Sequence, residues 1–254
     1  EGDCDPYYSA FALRALWVAG ALDGDIAKKA GSFLRARLNE RESIIDMISL
    51  IFGAAICEMA AGEVVLPDED DQQQVSWRSN VAALLESLRT PDGGYAKTPE
   101  GRAGSTYQTF LTVLCYQLIE VPVPDMDSIV TFLENQQHAE GGFLEIRAAK
   151  RAGVNPTAAA IGTLKALGRL KPEEHRQTIE FLADMQSDEG GFTANTRIPF
   201  ADLLSTFTGT LTLFDLEAIE EINLKAVQKY AQSMQGPEGG FFGFALDQTE
   251  IGRA

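Results

Sequence analysis

The chain has 254 residues, 45% hydrophobic and 23% charged, with a formal net charge of -16. That length can bury a large core, and the composition is that of a water-soluble protein. The acidic balance argues against a nucleic-acid binder, which shows a basic face, and against adhesion to anionic lipid.

An apolar helix is predicted to start near residue 6, followed by an amphipathic one near 24 whose end, "FLRARLNERES" at Phe33, looks like a worn copy of a phrase met later. Near residue 44 a second apolar helix begins. It contains "FGAAICEMAAG" with Cys57, and the longest uncharged apolar stretch, Met47 to Cys57, is too short to span a bilayer. Cys4, Cys57 and Cys115 are odd in number and scattered, which reads as reduced thiols and a cytoplasmic setting. Next comes "LPDEDDQQQ", with Asp68-Glu69-Asp70-Asp71. Formally this is an Asp-x-Asp-Asp general-acid pattern. Flanked by Pro67 and a run of Gln, it reads as solvated charge at the entry to an outer helix near 75.

From here repetition dominates. Gly-Gly-aromatic triplets begin at Gly93, Gly141, Gly190 and Gly239, at spacings of 48, 49 and 49 residues. Three end a fuller phrase: "FLENQQHAEGGF", "FLADMQSDEGGF" and "YAQSMQGPEGGF"; "LLESLRTPDGGY" is the same phrase with Leu84 and Arg89 substituted. The Gly pair stops a helix, and Gln137, Gln186 and Gln235 are expected to hydrogen-bond the turn. Between triplets there is room for two helices. One is almost uniformly apolar ("TYQTFLTVLCYQLI", "NPTAAAIGTLKALG") and must be enclosed. The other is amphipathic ("DMDSIVTFLENQQ", "NLKAVQKYAQSMQ") and can face water. Inner helices are expected near 6, 44, 106, 155 and 202, with outer partners near 24, 75, 126, 172 and 223. The fold class that follows is all-α, an α/α solenoid or a closed double ring.

The Gln-x-x-x-Gly-Gly-Phe phrase at this period resembles the prenyltransferase and squalene-cyclase repeat, clearly over about residues 75–242. The resemblance is nearest to the β-subunit of protein prenyltransferases, the type II geranylgeranyl transferase in particular, where "TLKALGRL" is followed by an outer helix and "SDEGGF". It implies a single α/α toroid domain over 1–254, with five to six inner/outer helix pairs around an apolar funnel. Five pairs are recognisable where a closed family ring has six; either the ring closes differently or a further pair lies outside this sequence.

The resemblance also implies site residues. An Arg-x-x-Lys pair after a Gly-Gly triplet grips the isoprenoid diphosphate in that branch, and Arg147 and Lys150 have that spacing after Gly141-Gly142. Arg102 stands where the branch has a His, and arginine also binds phosphate. Tyr107, Phe110, Ala158, Ala159 and Phe207 fall on inner helices as candidate isoprenoid-lining residues. The catalytic zinc of protein prenyltransferases is not matched. Gly153 and Asn155 stand at the Asp and Cys positions, and Ser205 at the His position, with Asp202 retained as a helix cap. His138 and His175 are expected by a Gly turn and on an outer helix. No metal and no cofactor are expected, and no catalytic residue is assigned. Without zinc, a thiol substrate would lack the activation that makes it a thiolate.

The resemblance thus implies a zinc-less relative that binds an isoprenoid diphosphate or other lipid, with an α-subunit-like protein as a further partner. Two alternatives stand beside it: an active prenyltransferase or terpenoid cyclase of the same superfamily using other chemistry, and a non-catalytic interaction scaffold.

Overall fold

A computed structural model describes residues 5–37, 44–66, 77–237 and 239–245. The Asp68–Asp71 pattern and Cys4 lie outside these residues. Among the described residues there are ten α-helices: α1 Pro6–Val18, α2 Gly24–Arg37, α3 Ile44–Ala61, α4 Trp77–Glu86, α5 Thr106–Leu118, α6 Met126–Gln136, α7 Val154–Ala166, α8 Arg176–Asp184, α9 Leu203–Asp215 and α10 Leu224–Ser233. They follow the order of five helix pairs that the sequence predicts, and among the described residues no helix is long and apolar enough to cross a membrane. The start of α8 differs from expectation because Pro172–Glu174 forms a separate 3-10 turn and His175 sits at the N-cap. The other regular structure described is a 3-10 turn at Ile219–Glu221 and a two-residue ladder pairing Phe192–Thr193 with Ala201–Asp202.

By their contacts the helices fall into two compact units, residues 1–87 with 114–123, and residues 88–113 with 124–254. In the first unit α1 and α2 pack on α3. The core there is Leu13, Leu34, Leu50, Ala54, Ile56, Cys57 and Val65. Asp5 caps α1, its carboxylate accepting from the Tyr8 N–H at 2.7 Å just before Pro6 in the first turn. The last turns of α5 belong here too: the Tyr116 hydroxyl donates to Glu86 at 2.9 Å and Arg78 Nη1 donates to the Ile119 carbonyl at 2.8 Å.

The second unit shows how the repeat works. Gly141 adopts φ +96°, and a Cβ there would lie 2.2 Å from the Gln177 carbonyl oxygen. A Cβ on Gly142 would lie 2.5 Å from the ring of Phe181. The same pair of close approaches joins Gly93 and Gly94 to Ser128 and Phe132, and Gly190 and Gly191 to Ala226 and Tyr230. So the Gly-Gly turns at 93, 141 and 190 each seat against the next outer helix, where Phe132, Phe181 and Tyr230 receive them. The aromatic residue after each of these three Gly pairs is held by a threonine fourteen residues on. The N–H groups of Tyr95, Phe143 and Phe192 donate to Oγ1 of Thr109, Thr157 and Thr206 at 3.0, 2.9 and 2.9 Å. Each threonine passes its own proton to the carbonyl four residues earlier, on Ser105, Gly153 and Asp202. A hydroxyl both donates and accepts, so one buried threonine satisfies two backbone groups. Gln186 behaves as expected and more: Nε2 donates to the Gly190 carbonyl at 3.1 Å, and its amide also exchanges hydrogen bonds with the Asn223 backbone. Arg89 reaches the equivalent carbonyl, Pro124, at 2.8 Å.

Candidate functional site

The loops after the Gly-Gly turns at 141, 190 and 239 are each tied to the start of the preceding inner helix. Thr106 at the start of α5 donates its N–H to the Glu145 carbonyl at 2.9 Å and its hydroxyl to the Leu144 carbonyl at 2.6 Å. Val154 at the start of α7 donates to the Ala194 carbonyl at 2.9 Å, and Leu203 at the start of α9 to the Gly243 carbonyl at 2.8 Å. This ladder stacks the loops at the N-terminal ends of α5, α7 and α9, and those loops carry the predicted cations. Arg147 and Lys150 are exposed in the middle loop, and Arg102 is exposed in the loop before it. Arg147 Nη1 donates to the Asn135 carbonyl at the end of α6. Arg151, not singled out in the sequence, joins them and donates to the Thr196 hydroxyl at 3.3 Å. Its signal was present, as the last cation of "RAAKR".

The three helix starts differ electrostatically. At α9 both oxygens of Asp202 are engaged, with the Ser205 N–H at 2.7 Å and its hydroxyl at 2.8 Å. At α5 the carboxylate comes from the next repeat: Glu145 accepts from the Ser105 hydroxyl and the Tyr107 N–H. The start of α7 has Gly153 at the N-cap and no side-chain cap. Its positive dipole end therefore carries no carboxylate of its own, and Arg147, Lys150 and Arg151 precede it directly.

Glu145 is half-buried, and burial pushes its pKa above the ordinary value near 4.5 against the opposing pull of the Ser105 and Tyr107 hydrogen bonds. The folded chain holds this proton more tightly than the unfolded one. The stability it contributes is present below the ordinary carboxyl value and is lost as pH rises through the raised one. Glu145→Gln keeps the acceptor and removes the titration. It is expected to lift stability at pH 7 relative to wild type while leaving it nearly unchanged at pH 4. Urea unfolding at the two pH values checks this; equal offsets at both would show that Glu145 does not titrate in this way.

Below the loops, one line of residues on each inner helix is left uncovered within this unit. On α5 it passes through Tyr107 and Phe110, on α7 through Asn155, Ala158, Gly162 and Lys165, and on α9 through Leu204, Phe207, Leu211 and Phe214. These are i, i+3, i+7 spacings, hence one helix face each. Leu204, Phe207 and Phe214 are 61, 64 and 64% exposed. Such an apolar face is a signal of binding, where an isolated exposed leucine is not. Of the predicted lining residues, Tyr107, Phe110, Ala158 and Phe207 lie on these lines; Ala159 is buried on the other side of α7. Two open surface concavities, of about 520 and 570 Å³, lie elsewhere, at the joints between a Gly-Gly turn and the next outer helix.

The zinc-ligand positions are occupied by a different network. Asn155 Oδ1 accepts from the Thr208 hydroxyl at 2.7 Å, and Ser205 is buried against Asp202. Among the described residues no three His, Cys, Asp or Glu side chains come together as a metal site, so these residues do not fit a zinc ion. His138 lies 3.4 Å from Glu140, and burial holds His175 below the ordinary histidine pKa. Cys57 and Cys115 are buried core residues, and burial pushes the Cys115 thiol up to about 12.

A family model described as the prenyltransferase alpha-alpha toroid domain matches residues 7–192 and 148–251. The chain belongs to this family. Its fold is similar to Candida albicans protein geranylgeranyltransferase-I complexed with GGPP, at 15% identity over 97% of this chain and 80% of that one, with a TM-score of 0.76. It is also similar to a variant of the type II terpene cyclase MstE from Scytonema in complex with geranylgeranyl dihydroxybenzoate (14% identity, 93% of this chain, 71% of that chain, TM-score 0.63). A further MstE variant, in complex with merosterolic acid A, has 14% identity over 93% of this chain and 71% of that one, with a TM-score of 0.62. No curated protein sequence matches. At such identities the structural likeness is one of fold, and within the toroid family it spans both prenyl transfer and terpene cyclisation.

Proposed function

We propose that this chain belongs to an isoprenoid-handling enzyme, taking a prenyl diphosphate with its head at the Arg102, Arg147 and Lys150 loops and its tail along the half-buried line of α7. The observation that carries this reading is the meeting, at the start of α7, of an uncapped helix N-terminus, a cationic loop and a small-residue apolar face. Arg102, Arg147 and Lys150 neutralise the diphosphate, which stabilises it as a leaving group. Tyr107, Phe110, Ala158 and Phe207 take the hydrocarbon out of water and hold its reacting carbon below the loops.

The geranylgeranyltransferase and the terpene cyclase named above both handle isoprenoid compounds, which supports an enzyme of the superfamily more than it supports the narrower zinc-less β-subunit. An α-subunit-like partner belongs to that narrower reading. Between transfer and cyclisation, the described residues favour departure of diphosphate. Arg102, Arg147 and Lys150 stabilise charge on a departing diphosphate, while Glu145 accepts hydrogen bonds from Ser105 and Tyr107 at the start of α5. The network at Asn155, Ser205 and Asp202 leaves no zinc-activated thiolate in the reading. Buried, unpaired Cys57 and Cys115 support a reducing, cytoplasmic setting.

Calorimetric titration of wild type with farnesyl diphosphate, farnesol and inorganic diphosphate tests the reading. The amphiphile is expected to bind more tightly than either of its parts. Inorganic diphosphate binding as tightly as farnesyl diphosphate would reduce the site to a surface anion patch, and absence of binding by all three would leave the scaffold reading in front.

A further inference from the structure

In one repeat the end of the outer helix is covered by the chain's own arginine, and in the next repeat the equivalent place stands open. Arg147 Nη1 donates to the Asn135 carbonyl near the end of α6. At the repeat spacing of 49 residues, Thr196 takes the place of Arg147, and Asp184, the last residue of α8, takes the place of Asn135. A threonine is too short to cross to that carbonyl, and a concavity of about 570 Å³ remains. Phe181, Met185 and Ile198 give it an apolar wall, and Glu140 and Asp184 add two carboxylates. Among the described residues no hydrogen-bond donor reaches Asp184, on its carbonyl or on its carboxylate. The hollow also lies at the C-terminal end of α8, the negative end of the helix dipole, where a cation is favoured. Arg151 stands beside it, donating to the Thr196 hydroxyl at 3.3 Å, but does not line it.

We propose that this hollow is a docking site for an arginine side chain carried by a segment of a partner protein. The guanidinium takes the position over α8 that Arg147 takes over α6, donating to the Asp184 carbonyl with the carboxylates of Asp184 and Glu140 on either side. Its planar fork of donors serves two acceptors at once, which the single point charge of a lysine does not. The wall of Phe181, Met185 and Ile198 receives the methylene stem and a neighbouring apolar residue. The volume falls in the range of roughly 300–1,000 Å³ that holds a whole ligand, more than one guanidinium fills, which favours a short peptide segment over a lone small cation. The net charge of -16 draws a basic segment from a distance and speeds its encounter. The hollow shares no residue with the diphosphate and hydrocarbon positions above.

The test is a fluorescence-anisotropy titration with labelled five-residue peptides that place leucine on each side of a central arginine, lysine or citrulline, the neutral isostere of arginine. Wild type is expected to bind the arginine peptide at least about tenfold more tightly than the citrulline peptide, with lysine between them. Thr196→Arg supplies the hollow with a guanidinium of the chain's own and is expected to remove binding of the arginine peptide. Glu140→Gln/Asp184→Asn keeps the shape and is expected to lower the arginine-to-citrulline ratio to about twofold or below. Glu140, Asp184 and Thr196 are all exposed, so both variants are expected to fold as wild type does. Binding of no peptide by wild type, equal binding of the arginine and citrulline peptides, or a preference unmoved in both variants would overturn the proposal. Agmatine, a small guanidinium compound, serves as the competing ligand. Agmatine binding as tightly as the arginine peptide would overturn the protein partner in favour of a small-molecule one.

Discussion

Replacing Arg147 and Lys150 together by alanine is expected to weaken farnesyl diphosphate binding by roughly two to four powers of ten. Hydrogen bonds to charged groups contribute about 1.5 to 3 kcal/mol each, and 1.4 kcal/mol is about a factor of ten. Both side chains are exposed, so stability should change by no more than about 0.5 kcal/mol. That separates this effect from unfolding. The guanidinium of Arg147 already rests on the Asn135 carbonyl, so part of the cost of ordering that side chain is met before a ligand arrives. The loss should shrink at high ionic strength, because screening weakens the attraction in wild type. Titration calorimetry of wild type and the double variant at two salt concentrations measures both quantities. Equal binding by the two proteins would return Arg147 and Lys150 to the status of surface charges.

Gly141→Ala is expected to be among the most destabilising single substitutions in the second unit, at least about 4 kcal/mol, whereas Gly239→Ala should cost about 1 to 3. The two glycines hold equivalent places in the repeat and nearly equal backbone angles, φ +96° and +93°. Alanine pays the same backbone strain at each. At Gly141 the added methyl group would also stand 2.2 Å from the Gln177 carbonyl, which belongs to a helix and cannot yield cheaply. At Gly239 no described residue lies within 4 Å. The difference between the two substitutions therefore isolates the docking of one repeat on the next from the conformation of the turn. Thermal unfolding followed by circular dichroism reads it; equal losses would mean that the close approach contributes nothing.

Those two glycines look alike in the sequence, and so do several other features that the structure separates. The period near fifty, the alternation of apolar and amphipathic helices, and the Gly pairs placed all ten helices to within a few residues. Such patterns depend on local backbone preference and on whether one face of a helix is wet, and both are written in neighbouring residues. Asp202 as a cap was legible for the same reason, since its partner is three residues away. The cationic loop was legible too, as a run of charge after a turn.

Other features depended on which residues of distant repeats come to face each other. Of the adjacent Ala158 and Ala159, one lies on the open line and the other is buried, because the rotation of α7 is set by the volumes of its neighbours and not by its own composition. Glu145 caps a helix that starts forty residues earlier, and Lys165 meets Asp215 fifty residues away. The threonines at 109, 157 and 206 are unremarkable polar letters on apolar helices until a folded turn brings a buried N–H to each. A helical period reports how wet a face is; the identity of what covers it is decided by packing between repeats, and the acidic cap on α5, its absence from α7 and the ion pair below Gly162 are all consequences of that packing.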